Sequence, residues 1–180
     1  PYEYAVASTE ESLRNLRMET IDLQQFHVWN PAWVERDEWK RAIEDLKAAG
    51  KIRYAGISIN DHQPDTALGI IETGLIDTVQ VIYNVYEQAP EGALFAACRK
   101  HNIGVLARCP LDEGALTGVV TPETKFEAGE FRDFYFRGDR KEQAAKAYAR
   151  LAADLAGTGE SVATTALRFT LSNDVVSTVI

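Results

Sequence analysis

The stretch Thr20-Ile21-Asp22-Leu23-Gln24-Gln25-Phe26-His27 is a short, largely apolar run that ends on a lone histidine. Four later runs share its build: Ile52 to Ser58 (IRYAGIS), Asp77 to Ile82 (DTVQVI), Ile103 to Cys109 (IGVLARC) and Val175 to Ile180 (VVSTVI). Helical stretches lie between them. Strands alternating with helices predict an α/β fold with a parallel sheet and crossover helices. In such folds the chemistry sits at the carboxyl ends of the strands. The polar residues there, His27, Ser58, Gln80 and Arg108, are therefore the first candidates for function.

Working outward, Pro1 to Arg17 reads as a helix, with Val6, Leu13 and Leu16 near one face. Ser8 and Glu11 have capping-box spacing, but Tyr2 to Ala7 look helical too, which favours the earlier start. A loop with Trp29, Asn30, Pro31 and Trp33 follows the first strand. Trp39, Ile43 and Leu46 then recur at helical spacing from Asp37 to Ala49, and Gly50 stops that helix. The next helix starts at Pro64 and ends at Gly74, and another runs near Glu91 to Lys100. After the fourth strand the rhythm breaks. Residues 110–138 form a long connection rich in aromatics, which argue against disorder. It leaves a strand's carboxyl end, so it is expected over the same mouth as His27. Asp139 is expected to cap a helix from Arg140 to Ala156, and a second helix spans Ser161 to Leu171.

The chain has 180 residues, enough for one domain with a buried core. A complete eight-stranded β/α barrel typically takes about 250 residues. Five strands are visible. The expectation is a single partial barrel domain over residues 1–180, lacking its first three strands. Open strand edges then predict self-association or poor solubility. With 27 acidic and 19 basic residues the net charge is −8, which argues against a nucleic-acid partner. A local site for a phosphate-bearing ligand remains compatible with it. No apolar stretch is long enough for a bilayer, so no membrane partner is expected, and no signal peptide opens the sequence. Cys98 and Cys109 are isolated thiols, which fits a reducing cytoplasm. His27, His62 and His101 show no metal-ligand spacing, and no metal is expected.

Each candidate has two readings. A histidine at a strand's carboxyl end can hold a carbonyl oxygen or move a proton near neutral pH; it can also brace the Trp29 loop. Ser58 and Gln80 end neighbouring strands and together suit an amide, such as a nicotinamide carboxamide. They can equally cap the turns that follow. Trp29 and Trp33 suit either an apolar substrate wall, with Trp29 as the substrate contact, or simple packing. His101 sits at a helix end, where it favours the dipole. No glycine-rich loop of the dinucleotide or P-loop type is present.

The order of motifs is more specific than any one of them. LRNLRMETIDLQQFH (Leu13 to His27) resembles the aldo-keto reductases, whose fourth barrel strand ends on the catalytic histidine. GKIRYAGIS (Gly50 to Ser58) is similar to their fifth strand, IDTVQVIYN (Ile76 to Asn84) to the sixth, IGVLARCPLDEGALTG (Ile103 to Gly118) to the seventh, and VSTVI (Val176 to Ile180) to the eighth. The resemblance implies a (β/α)8 TIM-type barrel, here strands four to eight with their helices. It implies an NADPH-dependent oxidoreductase, with NADH as the other nucleotide option, that reduces aldehydes or ketones to alcohols. His27 then matches the catalytic histidine that orients and polarises the substrate carbonyl. Ser58 and Gln80 match residues bonded to the nicotinamide carboxamide, and Cys109, Pro110, Leu111 and Gly114 match the loop along the pyrophosphate. Arg108 stands where many members stack an aromatic ring, Ile59 where many have asparagine, and Cys109 where serine is common. The family's catalytic aspartate, tyrosine and lysine have no counterpart here, nor has its loop for the adenosine 2′-phosphate. The expectation is thus the second half of such an enzyme, inactive alone. The alternative is a non-catalytic, NADPH-binding regulatory subunit of reductase type.

Overall fold

The computed structural model describes residues 1–180. Its sheet is built by alternation. Along β2 (Ile52–Ser58), Ala55 and Ile57, with Ile59 just beyond, are buried on one face; Tyr54, Gly56 and Ser58 lie on the other. The same period of burial runs through β3 (Thr78–Ile82) and β4 (Gly104–Arg108), while the edge strands β1 (Ile21–Phe26) and β5 (Val176–Val179) are only partly buried along their length. All pairings are parallel and the order is β1-β2-β3-β4-β5. The β4–β5 pairing carries an irregularity between Val105 and Leu106. Sequential order with right-handed crossovers sends every connecting helix to one side.

That side holds the core. Ile57, Val79, Val105 and Ala107 from the strands meet Trp39, Ile43 and Leu46 of α2 (Asp37–Ala48) and Leu94, Phe95 and Cys98 of α4 (Ala93–His101). Such burial contributes about 1.5–3 kcal/mol for each large side chain. The opposite face is less covered, and Tyr54 is 55 % exposed on it.

The helix α1 starts early, at Tyr2, and runs to Leu16. Ser8 therefore lies inside it, and its carbonyl accepts from the Ser12 hydroxyl rather than opening a cap. The helix expected from Pro64 is divided. A 3-10 turn, Pro64–Ala67, leads into one turn of α3, Leu68–Ile71. Thr73 then turns its hydroxyl back to the Ile70 carbonyl, 2.6 Å away. Residues 110–138 hold a 3-10 stretch, Asp112–Thr117, and the short α5, Phe131–Tyr135. They carry a small core of their own, in which Ala115, Val120, Tyr135 and Phe136 pack together. After it come α6 (Arg140–Asp154) and α7 (Val162–Ser172). Ser161 caps α7 by accepting from Thr164 N–H. Asp139 does not cap α6. Its backbone is already near-helical (φ −93, ψ 8), and its carboxylate accepts from the Gln143 side chain instead. No helix is long and apolar enough to cross a membrane.

Candidate active site

Strand register fixes which side chains share a face. Gln25 is level with Gly56, Gly56 with Thr78, and Ser58 with Gln80. Because Val79, Val81, Ile57 and Ile59 belong to the helix-side core, Ser58 and Gln80 point the other way. His27 comes one residue after Phe26, whose partner is Ile57, and so continues the row of Gln25. Arg108 follows Ala107, a core residue, at the same end of β4. His27, Ser58, Gln80 and Arg108 thus stand at one end of four adjacent strands.

Their environments differ. Ser58 is buried and Gln80 half-buried. His27 is exposed at the sheet edge; the cavity of about 580 Å³ that it borders lies on the helix side, against Tyr4 and Thr9 of α1 and Trp39, Ile43 and Ala55, and does not include Ser58, Gln80 or Arg108. Arg108 arches over the neighbouring strand ends. One guanidinium nitrogen, Nη2, donates to Asp61 Oδ1 (2.6 Å) and to the Ile59 carbonyl (3.1 Å). Burial opposes its charge, but the contacts to Asp61 and Cys109 outweigh this and hold its pKa above the ordinary value. Three buried polar atoms of this row have no partner: Gln25 Oε1, Thr78 Oγ1 and Arg108 Nε. Unpaired buried groups are costly, so a polar ligand that reached them would find its contacts prepared.

The loops at this end are tied to one another. Trp29 N–H donates to the Ser58 carbonyl, and Asn60 Nδ2 to the Trp29 carbonyl. Asn84 is fully buried. Its Nδ2 donates to the Cys109 carbonyl, while its Oδ1 accepts from the backbone N–H of Tyr86 and Glu87. Cys109 takes a positive φ of 56°, as do Asp112 (49°), Glu113 (52°) and Gly114 (99°), which folds the loop after β4 tightly. The two acids of that loop are turned onto protein groups. Asp112 Oδ1 accepts from Tyr135 Oη at 2.6 Å, and Glu113 Oε1 accepts from Cys109 Sγ–H at 3.1 Å. Burial raises the Asp112 pKa, against the Tyr135 hydrogen bond and the Arg140 charge. Tyr135 also stacks on His62 and lies under Arg140, with 4.2 Å from guanidinium carbon to ring centre. The His62 ring reaches Glu87 at 2.5 Å. Through these contacts α5 rests on the loops after β2 and β4, and His62 ties it on to the loop after β3.

Trp29, read from sequence as a substrate contact, has no exposed surface. It sits in the main core, edge-on to Trp33 and Trp39 at 5.6 and 5.3 Å. Ile59, at the position where many family members have asparagine, is also in that core, and Asn60 is spent on the Trp29 carbonyl. His101 meets Glu72 at 3.1 Å. No group of three or more His, Cys, Asp or Glu side chains is placed to hold a metal ion. Sequence reasoning missed Gln25, Asp61, Asn84 and Tyr135. Only Gln25 carried a usable signal, two residues before His27 on the same strand face.

A model of the aldo/keto reductase family matches residues 2–180. Aldo-keto reductase YhdN of Bacillus subtilis is 33% identical over 129 residues, which is 71% of this chain and 38% of that protein. The NADH-specific methylglyoxal reductase of Escherichia coli is 32% identical over 113 residues, 61% of this chain and 34% of its own length. Among solved structures, a glycerol dehydrogenase from Gluconobacter oxydans superposes with a TM-score of 0.76 at 31% identity, covering 96% of this chain and 53% of that one. The chain therefore spans about a third to a half of the proteins it matches.

Proposed function

The chain belongs to the aldo/keto reductase family, and from that premise we propose that it forms the cofactor-holding part of an NADPH-dependent carbonyl reductase, strands four to eight of the barrel. The observation that carries this is the register that sets Ser58 beside Gln80 on the open face, next to partnerless buried polar atoms. A hydroxyl and an amide side by side suit a carboxamide, which needs both donors and acceptors. Ser58 and Gln80 hold the nicotinamide carboxamide in this reading. Arg108, steadied by Asp61, offers a planar guanidinium that can stack where an aromatic ring would. Cys109, Pro110, Leu111 and Gly114 line the pyrophosphate, and the turning of Asp112 and Glu113 onto Tyr135 and Cys109 keeps two carboxylates from opposing it. When bound, the reduced nicotinamide supplies a hydride. His27 donates a ring N–H to the substrate oxygen, which orients the carbonyl and stabilises negative charge growing on it. The substrate is a small-molecule carbonyl compound. The compartment is the cytoplasm.

No residue of this chain is matched to a proton donor. General-acid catalysis typically contributes about 10²–10⁴-fold, so the 180-residue polypeptide alone turns over poorly. The test is carbonyl-dependent NADPH oxidation by the full-length gene product across a panel of aldehydes and ketones. Ser58→Ala and Gln80→Ala are each expected to weaken nucleotide binding about 5–10-fold, the scale of one hydrogen bond. His27→Ala is expected to lower kcat with little change in nucleotide affinity. Nucleotide binding with no carbonyl-dependent oxidation would replace this reading with that of a regulatory, NADPH-sensing subunit.

A further inference from the structure

Gln25 and Gln80 stand on β1 and β3, with β2 between them. Gln25 is level with Gly56 and Gln80 is level with Ser58, two residues further along, so the two amides meet on a diagonal across β2, past the bare backbone of Gly56. Gln25 Nε2 donates to Gln80 Oε1 at 2.9 Å across it. A Cβ at position 56 would lie 2.9 Å from the Thr78 carbonyl and 3.3 Å from Gln25 Cγ, with the Thr78 hydroxyl closer still. The glycine is there for close approach; its φ is not positive.

A primary amide has one accepting end and one donating end. Gln25 occupies the accepting end of Gln80, which leaves Gln80 Nε2 without a protein partner. The opposite arrangement, with both amides turned over, would strand the two N–H donors of Gln25 in place of its one buried oxygen. An orphaned buried donor is rarer in proteins than an under-satisfied carbonyl. We propose that Gln25 is a positioning residue that fixes Gln80 as a hydrogen-bond donor, so that the site recognises the carbonyl oxygen of the ligand's carboxamide and not its NH2 group. This rests on the assignment of Ser58 and Gln80 to the nicotinamide.

The test uses the full-length gene product and two probes, NADP⁺ and its 3-acetylpyridine analogue, which keeps the carbonyl but has a methyl group in place of NH2. Binding is measured by calorimetry, without turnover. The wild type should bind the two within about 3-fold of each other, since both offer the carbonyl to Gln80. In Gln25→Glu the carboxylate only accepts, so Gln80 turns its Nε2 inward and shows Oε1 to the ligand. The analogue should then lose at least about 10-fold relative to NADP⁺, the scale of one mispaired polar contact. Gln25→Met keeps the volume and removes the bridge. It should weaken both probes about equally, by several-fold, because Gln80 is no longer held. Variants that bind both probes as the wild type does overturn the role of Gln25 alone, and the Met variant is sufficient for that outcome even if the Glu variant fails to fold. A wild type that binds neither these probes nor NAD⁺ and its 3-acetylpyridine analogue overturns the nicotinamide assignment, and the role of Gln25 with it.

Discussion

Burial pushes the Cys109 thiol up to about 12, and its hydrogen bond to Glu113 adds to the rise; burial alone takes Cys98 to about 11. At pH 8 the thiolate, the reactive form, is then about one part in a thousand or less. Iodoacetamide should modify both cysteines at least about 100-fold more slowly in the folded protein than in urea. Fast labelling of Cys109 at pH 8 would contradict its burial and the Glu113 contact. The same shifts set a direction for stability. The folded state keeps these protons, and the unfolded chain releases them above its ordinary thiol pKa. Nothing is lost below about pH 8, and stability falls as pH rises from about 9 toward 12. Tyr83 and Tyr86, both raised to about 12 chiefly by burial, act in the same direction from about pH 10. At this scale sequence was a partial guide. His27, Ser58, Gln80 and Arg108 stood out as candidates because each is a polar group in or at the end of an apolar run, and the strand register sets Ser58 level with Gln80. Trp29 was ambiguous, since an indole after a strand suits a wall or a core, and tertiary packing alone put it in the core.

Asn84 joins two elements' loops. Its one side chain makes three hydrogen bonds, to the loop that follows β3 and to the Cys109 carbonyl after β4, with no exposed surface. Asn84→Ala leaves those groups buried and unpaired, and should cost about 2–4 kcal/mol in urea melts. An unchanged midpoint would show that water replaces the amide. Strands and long helices were readable in the sequence, because periods of two and of about 3.6 are written in apolar residues. The breaks were not. The Pro64 helix divides at a level that periodicity does not resolve, and Asp139 has the right residue type for a cap but already takes near-helical angles. The diagonal contact between Gln25 and Gln80 was also hidden, since the partners belong to strands that are not adjacent.

The whole sheet has one well-covered face and one poorly covered face. Tyr54 (55 %) and Ile180 (59 %) are among the exposed large side chains, and β1 and β5 each have an unpaired edge. The 180-residue polypeptide alone should therefore sediment as dimers or larger species at micromolar concentration. A sharp monomer boundary together with a cooperative melt would sink this expectation. The α/β class and the strand order were both legible at this scale, because sequential β/α units permit few arrangements.

Neighbours in the sheet are also neighbours along the backbone, and that ordering has a kinetic consequence. The first four strands each dock after a modest excursion, so the growing sheet extends one edge at a time, in the sequence in which a ribosome would release it. The span from Arg108 to Val176 is by far the longest. Its closure is the steepest entropic step, which makes β5 the last to join and the first to detach.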